Sequence, residues 1–396
     1  MTIKAGISRQ REVYRELRAD ILGGRYVASR FPSERALAVK FGVGRSTMTR
    51  CLTELEREGL VRRRQGKGTF LTDLGALRLV GVVIPGIAYS SEFFQPIVTE
   101  LIRQAKRRDY SVVMDGVWSP HSEVNAVEMT ESVARLIRQR VAGVIYQPLA
   151  FSRNSEAINF AVLSAFSKAG IPVVLLDGDV VSLPRRSEYD LVSIDNVAAG
   201  EMLGWHLIEQ GARSIRYFMR AAWVQNVLNR AHGVRNAVLA NGLRWSEQSI
   251  VRAAPSDVAA VRRLMRSTPR PDAIVCENDV IAATLKKTLE SLGYVVPGDL
   301  LLAGFDDVQI ARLSSPGITT IRQPCEEIAR TALERLLARI ANRELVPTSI
   351  LLPHQLIVRS STLSGRQAMR EGSGPAGVKQ SRAGRCPAGV HGKRAD

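Results

Sequence analysis

From Leu79 onward the chain repeats one grammar: a short apolar run dense in β-branched residues, then a helical pattern, then another apolar run. The first runs are LVGVVIPGI, YSVVMDGV, VAGVIYQPL and IPVVLLDGD, with helical stretches over 95–108 and 124–140 and a third before the last run. The series resumes with LVSIDN, SIRYFMR, DAIVCEND and DLLLAGFDD, separated by helical stretches over 198–210, 230–240 and 280–292. Strands apolar on both faces must be covered on both faces, and successive strand–helix units do this by building parallel sheets. There are enough units for two lobes. The predicted fold class is therefore α/β with parallel sheets, and no repeat of fixed short period competes with it.

The first 78 residues do not follow this grammar, and their charge differs too. The chain of 396 residues is too long for one ordinary core, and its net charge of +17 is unevenly spread. Residues 1–72 hold 16 Lys/Arg against 7 Asp/Glu, and residues 365–396 hold 7 against 2. The 292 residues between them keep a surplus of only 3. A near-neutral body with a basic head points to a nucleic-acid-binding head joined to a domain with another task. The tail, rich in Gly, Ala, Arg and Ser, is expected to be disordered over 363–396.

No apolar run approaches the ~20 residues that span a bilayer, and MTIKAGISRQREVYRELR lacks the apolar centre of a signal peptide. A cytoplasmic protein with no membrane partner is expected. Cys51, Cys276, Cys325 and Cys386 form no C-x-x-C pair and the five histidines are scattered, so neither a disulfide framework nor a metal site is expected, and no cofactor.

Within the head, Val13, Leu17 and Ile21 recur four apart and Gly23–Gly24 stop a first helix. In PSERALAVKFG, Ser33 is a predicted N-cap, Leu37 and Phe41 share a face, and Gly42 ends the helix. GRSTMTRCLTELEREG places Met48, Leu52 and Leu55 on one face, which leaves Arg45, Ser46, Thr49 and Arg50 to project from the other. Two β-like runs over 60–64 and 69–72 flank QGKG, a hairpin turn. Three helices and a hairpin describe a winged helix-turn-helix, with the third helix as reader of the major groove. Arginine suits that place because its planar fork matches guanine O6 and N7 or straddles phosphates.

The hairpin VRRRQGKGTF also invites a nucleotide-binding reading, which its spacing excludes. A Walker loop needs a glycine five residues before Gly66 and a Ser or Thr after Lys67; the chain has Val61 and Gly68. As a wing, it would set Arg62, Arg63, Arg64 and Lys67 against phosphates. The bland reading is a solvated basic hairpin.

The stretch FPSERALAVKFGVGRSTMTRCLTELEREGLVRRRQGKGTFL resembles the winged-helix domain of the GntR family of bacterial transcription regulators. It carries P-S-E-R-x-L-A, G-V-x-R-x-T, L-x-x-L-E-x-E-G-L and R-x-G-x-G-T-F, over about 60 residues. The resemblance implies that Arg35, Arg45, Thr47 and Gly66 touch DNA. Gly44 stands where Ser or Thr commonly caps the recognition helix, and Thr49 stands where arginine is frequent. The candidate DNA-contacting set is Arg35, Arg45, Ser46, Thr47, Thr49, Arg50, Arg64, Gly66 and Lys67.

The body resembles the periplasmic-binding-protein-like (type I) effector domain of LacI-type repressors in VGVVIPGI, GIPVVLLD, SIDNVAAGEMLGWHLIEQG, PDAIVCENDVIAA, VPGDLLLAGFDD and SSPGITTIRQP. These occur in the family's order across about 280 residues. A GntR-like head on such a body is similar to arabinose-responsive repressors of the AraR type. Two α/β lobes joined by crossovers leave a cleft at the carboxyl ends of their strands. Sugar recognition there needs carboxylates and amides for hydroxyls and aromatic faces for C–H surfaces. Strand ends supply Tyr89, Ser91, Glu92 and Phe94, then Asp177, Asp195, Trp223, Arg230, Asn278, Asp279, Asp306 and Gln323. The resemblance singles out Arg230, in RAHG, as a ligand contact. Helix capping is the competing account of Asp195 and of Asn278–Asp279, and a turn that of Asp306. Phe93 and Phe94 are adjacent, so one of them is assigned to the core. Gly178 stands where many LacI relatives carry arginine.

The expected organisation is a winged helix over 1–72, a linker over 73–78, a two-lobed ligand-binding and dimerisation domain over 79–362 and a basic tail over 363–396. The expected function is a repressor, dimeric on double-stranded operator DNA and controlled by a small sugar-like effector. An enzyme acting on a sugar or sugar phosphate is the alternative class. It would need a nucleotide loop, nucleophile elbow or paired histidine, none of which the sequence displays.

Overall fold

The computed structural model describes residues 2–22, 25–26, 31–64, 67–72, 78–85, 91–115, 126–149, 155–220 and 225–363. In the head, α1 (Thr2–Leu22), α2 (Glu34–Lys40) and α3 (Arg45–Arg57) precede the strands β1 (Val61–Arg64) and β2 (Gly68–Leu71). The four-residue periodicity works as expected: Val13, Leu17 and Ile21 of α1 are sealed against Leu37, Met48, Leu52 and Leu55. Ser33 Oγ accepts the Ala36 N–H at 3.2 Å and caps α2. Gly42 (φ 59°) and Gly59 (φ 73°) close α2 and α3 in the left-handed region that favours glycine. β1 and β2 pair antiparallel, Val61 opposite Leu71 and Arg64 opposite Gly68.

The body opens with β3 (Arg78–Val83), α4 (Ser91–Lys106), β4 (Tyr110–Asp115), α5 (Ala126–Gln139), β5 (Gly143–Tyr146), α6 (Ser155–Lys168), β6 (Val173–Leu176) and β7 (Asp190–Ile194). The chain then enters a second lobe. This holds α7 (Asn196–Glu209), β8 (Ile215–Met219), α8 (Gln225–Ala240), β9 (Ile250–Arg252), α9 (Val258–Met265) and β10 (Ala273–Cys276). It continues with α10 (Asp279–Ser291), β11 (Leu301–Phe305), α11 (Gln309–Leu313) and β12 (Thr319–Arg322). From β12 the chain returns: α12 (Cys325–Ala341) and β13 (Ser349–Leu352) belong to the first lobe, and β14 (Gln355–Ile357) to the second.

The first sheet runs β13-β7-β6-β5-β3-β4 with every pair parallel. The second runs β14-β12-β11-β10-β8-β9, parallel except for the β12–β14 pair. Three segments cross between the lobes, after β7, after β12 and between β13 and β14. Parallel strands put all their carboxyl ends on one edge, so the crossovers and the cleft share that edge.

Two glycines fix how the second lobe places the helix that carries Arg230. A Cβ on Gly200 would lie 2.0 Å from the Arg230 carbonyl oxygen, and one on Gly233 would lie 2.0 Å from that of Val197. Only glycine lets α7 and α8 touch backbone to backbone. That contact sinks Arg230 into the molecule, where it is 5% exposed.

Candidate DNA interface and ligand cleft

The candidate DNA-facing surface is built from α2, α3 and the wing. Arg45 is 85% exposed in its side chain, Ser46, Arg50, Arg35, Arg64 and Lys67 are exposed, and Thr47 is half-buried. Gly44 provides no side-chain cap, and the Thr47 amide donates to the Gly44 carbonyl at 3.1 Å instead. The Arg64 guanidinium lies 5.6 Å from the Phe70 ring centroid, a cation–π contact that braces the side chain. Gly66 lies outside the described residues.

One residue not singled out in the sequence ties this surface together. The Glu34 carboxylate accepts a hydrogen bond from the Thr49 hydroxyl (2.6 Å) and from Arg63 Nη2 (2.9 Å), and pairs with Arg45 Nε at 3.5 Å. It links α2, α3 and β1 through three charge-assisted contacts. The helical spacing has Thr49 projecting outward to DNA; its hydroxyl instead serves Glu34, with the Arg45 carbonyl 2.9 Å away. Arg63 likewise folds back onto Glu34 and Thr53 rather than standing free with its neighbours. Strand alternation explains this, because Arg62 and Arg64 point opposite to Arg63.

In the cleft the structure brings four of the sequence-predicted residues together. Asp177 follows β6 in the left-handed region (φ 68°), and its Oδ1 is buried without a hydrogen-bond partner among the described residues. Burial pushes its carboxyl up to about 6, while Arg230 pulls it down and Asp306 pushes it further up. Arg230 donates from Nε to Asn196 Oδ1 (2.9 Å) and from Nη1 to the Glu277 carbonyl (3.0 Å). Its guanidinium sits 4.5 Å from the Phe305 ring centroid and 3.7 Å from Asp306 Oδ1. Asp306 follows β11 (φ 100°), accepts from Gln323 Nε2 at 2.8 Å, and is raised by burial against the pull of Arg230 and Gln323. Gln323, 3% exposed on the second crossover, keeps Oε1 without a partner among the described residues. A cavity of about 120 Å³ opens beside Asp177, lined from the first lobe by Gln147 and Asn159 and from the second by Asn226.

Asp307 shows how different its neighbour Asp306 is. Burial works against the Asp307 charge, yet Arg359, Arg322 (2.6 Å) and Arg312 (3.1 Å) hold its carboxyl below the usual range. It is a structural anchor for three arginines.

Several predicted ligand contacts have other work. Asp195 Oδ1 accepts the Val197 (3.0 Å) and Ala198 (2.9 Å) amides and caps α7. Asn278 Oδ1 accepts the Ile281 amide at 2.9 Å and caps α10. Asp279 is fully buried, accepts the Val308 amide at 3.0 Å, and is pushed well up by burial and by Asp306. Gly304 makes room for it, since a Cβ there would meet its Oδ1 at 2.2 Å. Asp195 and Asn278 are therefore helix caps, and Asp195 also lines a pocket with Asp177 and Asn226.

Helix α4 begins at Ser91, four residues earlier than the pattern implies, so Glu92 and Phe94 lie in its first turn. Glu92 is exposed, and the Ser91 side chain lies outside the described residues. The expectation that one of Phe93 and Phe94 is in the core is corrected: both are, the candidate ligand residue Phe94 included, edge to face with centroids 4.8 Å apart. The helix turn carries them both inward against apolar neighbours. Tyr89 and Trp223 lie outside the described residues.

Sequence reasoning missed Asn226, Asn196 and Glu277. Asn226 sits one turn before Arg230 on the same face of α8 and donates to the Asp177 carbonyl at 2.9 Å across the lobes. That spacing was legible once Arg230 had been chosen. It also bears on Gly178: a Cβ there would stand 3.0 Å from Asn226 Oδ1, so glycine leaves room for this amide from the other lobe.

Comparison with known proteins agrees with both halves of this description. Residues 9–71 match the profile of bacterial regulatory proteins of the gntR family, and residues 205–362 that of the periplasmic binding protein-like domain. The chain is a DNA-binding transcriptional regulator that joins a gntR-family head to a periplasmic-binding-protein-like body. It is 28% identical over 345 residues to the arabinose metabolism transcriptional repressor of Geobacillus stearothermophilus, covering 84% of this chain and 91% of that one. It is 27% identical over 285 residues to the HTH-type transcriptional repressor PurR of Escherichia coli O1:K1, covering 70% and 79%. Among solved structures, a transcriptional regulator CelR–cellobiose complex shares the fold with a TM-score of 0.61 at 24% identity, over 84% of this chain and all of that one. A LacI-family regulator from Sanguibacter keddieii matches with a TM-score of 0.57 at 26% identity, over 72% and 99%.

Proposed function

We propose that this regulator is a repressor released from its operator by a small neutral polyhydroxylated effector, a sugar, held between the two lobes. Asp177 from the first lobe, Arg230 and Asp306 from the second, and Gln323 on a crossover carry the reading. Their buried acceptors Asp177 Oδ1 and Gln323 Oε1 suit hydroxyl donors, and the Arg230 guanidinium suits a hydroxyl acceptor. Burying polar groups in this way costs free energy, which a ligand that satisfies them recovers. The relatives named for arabinose metabolism and the cellobiose complex support a sugar. A ligand bridging the lobes favours their closed arrangement, and it moves the heads only through unequal affinity for the two arrangements.

Arg35, Arg45, Ser46, Thr47, Arg50 and the wing cations Arg64 and Lys67 are the DNA contacts in this reading, with Thr49 acting through Glu34. The protein would work as a homodimer, two winged helices meeting a two-fold operator, in the cytoplasm where its DNA is. Among the described residues no helix is long and apolar enough to cross a membrane. The test is a panel of sugars added to the full chain, read as melting temperature and as affinity for DNA from its own locus. A sugar that raises Tm and weakens DNA binding, with no turnover, supports the reading. A sugar that is chemically converted, or a panel with no effect, overturns it.

A further inference from the structure

The edge of the first lobe opposite the cleft holds a second cavity, of about 190 Å³. Its walls are the turn between α6 and β6, the residues leading into β7, and the end of α12. The register fixes its place: Val173 is paired with Val144, Val174 with Asp190, and Gly143 with Val80. The cavity therefore lies at the amino ends of the strands, the edge at which β3 enters from the head. One strand of four residues separates it from the cleft, about 13 Å.

The chemistry of the walls is cationic. Arg335, Arg339 and Arg343 stand on successive turns of α12 and just past its end, and the buried Asp190 takes Arg335 Nε (2.8 Å) and Arg339 Nε. Asp190 also accepts the Thr348 amide at 2.8 Å, so its acceptors are used up within the fold. Arg335 is further satisfied by the Val346 carbonyl at 2.6 Å. Arg339 Nη2 is buried without a hydrogen-bond partner among the described residues, although the side chain lines the cavity. Arg343 is exposed and donates to the Gly170 carbonyl, which pins the guanidinium at the cavity mouth. Glu188 is the acidic group on the wall, and it is exposed. Three guanidiniums against Asp190 and Glu188 leave positive charge unmatched, beside a buried cationic donor whose unmade hydrogen bond is costly. Tyr189 adds a ring and a hydroxyl, with burial and Glu188 pushing that hydroxyl up, so it stays a donor.

We propose that this cavity is a second ligand site, specific for a small phosphate ester, with Arg339 and Arg343 as its oxyanion-binding pair. Guanidinium forks match a phosphate's oxygens, and the volume admits an ester of a small metabolite. Its position on the edge of the sheet where β3 also begins, two strands away from β6, makes the site a second input to the regulator, separate from the cleft.

The test uses the full chain in matched ionic strength, with sodium phosphate against sodium chloride, then a hexose phosphate against the free hexose. The expected result is a saturable rise in Tm with phosphate, at least about tenfold tighter apparent binding for the ester, and no rise with chloride. Arg343→Glu should abolish the rise, Arg343→Lys should keep part of it, and Asp177→Asn should leave it intact. Arg343 is exposed, so its variants are expected to fold, with far-UV circular dichroism as the check. Equal effects of chloride and phosphate, or a phosphate effect surviving Arg343→Glu, would overturn the site. Loss in Asp177→Asn would move the anion to the cleft, and an ester no tighter than inorganic phosphate would overturn the ester assignment.

Discussion

The winged helix and the cleft treat charge in opposite ways. On the head the cations are exposed, and the half-buried carboxylate of Glu34 has both oxygens engaged. In the cleft the charged groups are buried and several acceptors stay unmatched among the described residues, Asp177 Oδ1, Gln323 Oε1 and Gln147 Oε1 among them. The difference follows from what each region meets. Phosphates attract exposed cations at long range and through counterion release, so affinity there needs no burial. A neutral sugar offers only hydroxyls, and discrimination then depends on buried polar groups that a wrong ligand would leave unpaired.

Removing Arg230 should break the comparison most severely. Arg230→Ala takes a buried, hydrogen-bonded cation from between Asp177 and Asp306, and effector affinity should fall on the order of 100-fold. Operator affinity without effector should stay close to that of the parent, measured by fluorescence anisotropy alongside calorimetric titration with the effector.

Glu34→Ala sharpens the other side. Simple electrostatics expects tighter DNA binding when a carboxylate leaves a DNA-facing surface. The geometry expects the reverse for the operator: Arg45, Thr49 and Arg63 lose their common anchor, and operator affinity should drop about tenfold. Affinity for unrelated DNA should hold or rise, so the ratio of the two is the quantity to measure.

Asp177→Asn tests the cost of burial. Below about pH 3 the folded and unfolded carboxyls are both largely protonated, and the substitution should be neutral. As the pH rises through the range up to about 6, the folded protein increasingly bears a buried charge that the unfolded chain bears freely. The variant should therefore gain stability relative to the parent on raising the pH, by about 3 kcal/mol once the buried carboxyl has ionised and without effector. Chemical denaturation at several pH values reads this. In the parent, effector affinity should rise as Asp177 ionises through about 6, and the Asp177→Asn variant should lose that dependence.

The smallest effects belong to the wing. Arg64→Ala and Lys67→Ala should each weaken operator and unrelated DNA alike, lowering the slope of log affinity against log salt by about 1. A change confined to the operator would show that the wing reads bases.

The two architectures were legible in the sequence because each rests on a local pattern. Val13, Leu17 and Ile21 announce a helix face, and runs such as VVLL announce a doubly covered strand. The return of the chain was not legible. β13 alternates exposed and half-buried residues and β14 has only three residues, so neither has the apolar density of an interior strand. In the cleft, Asp177, Asp306 and Gln323 were proposed because strand ends converge in such folds, and Arg230 because the resemblance pointed to it; the structure brings the four together. Asp195 and Asn278 show the limit, since a residue just before a helix caps and faces a ligand from one sequence position. Glu34 was missed because its neighbour Arg35 has the charge that DNA recognition calls for, and the contacts of Glu34 are set by three separate elements.

The central claim is that one chain couples a buried, acceptor-rich cleft to an exposed cationic reader. It is tested most directly by titrating the inducing sugar into the full chain bound to labelled DNA from its own locus, for the parent and for Arg230→Ala. The account expects saturable release of the parent and a variant that binds the same DNA and stays bound at the same sugar concentration. Failure of the parent to bind its locus at low salt, or release of the variant at the parent's sugar concentration, would contradict it.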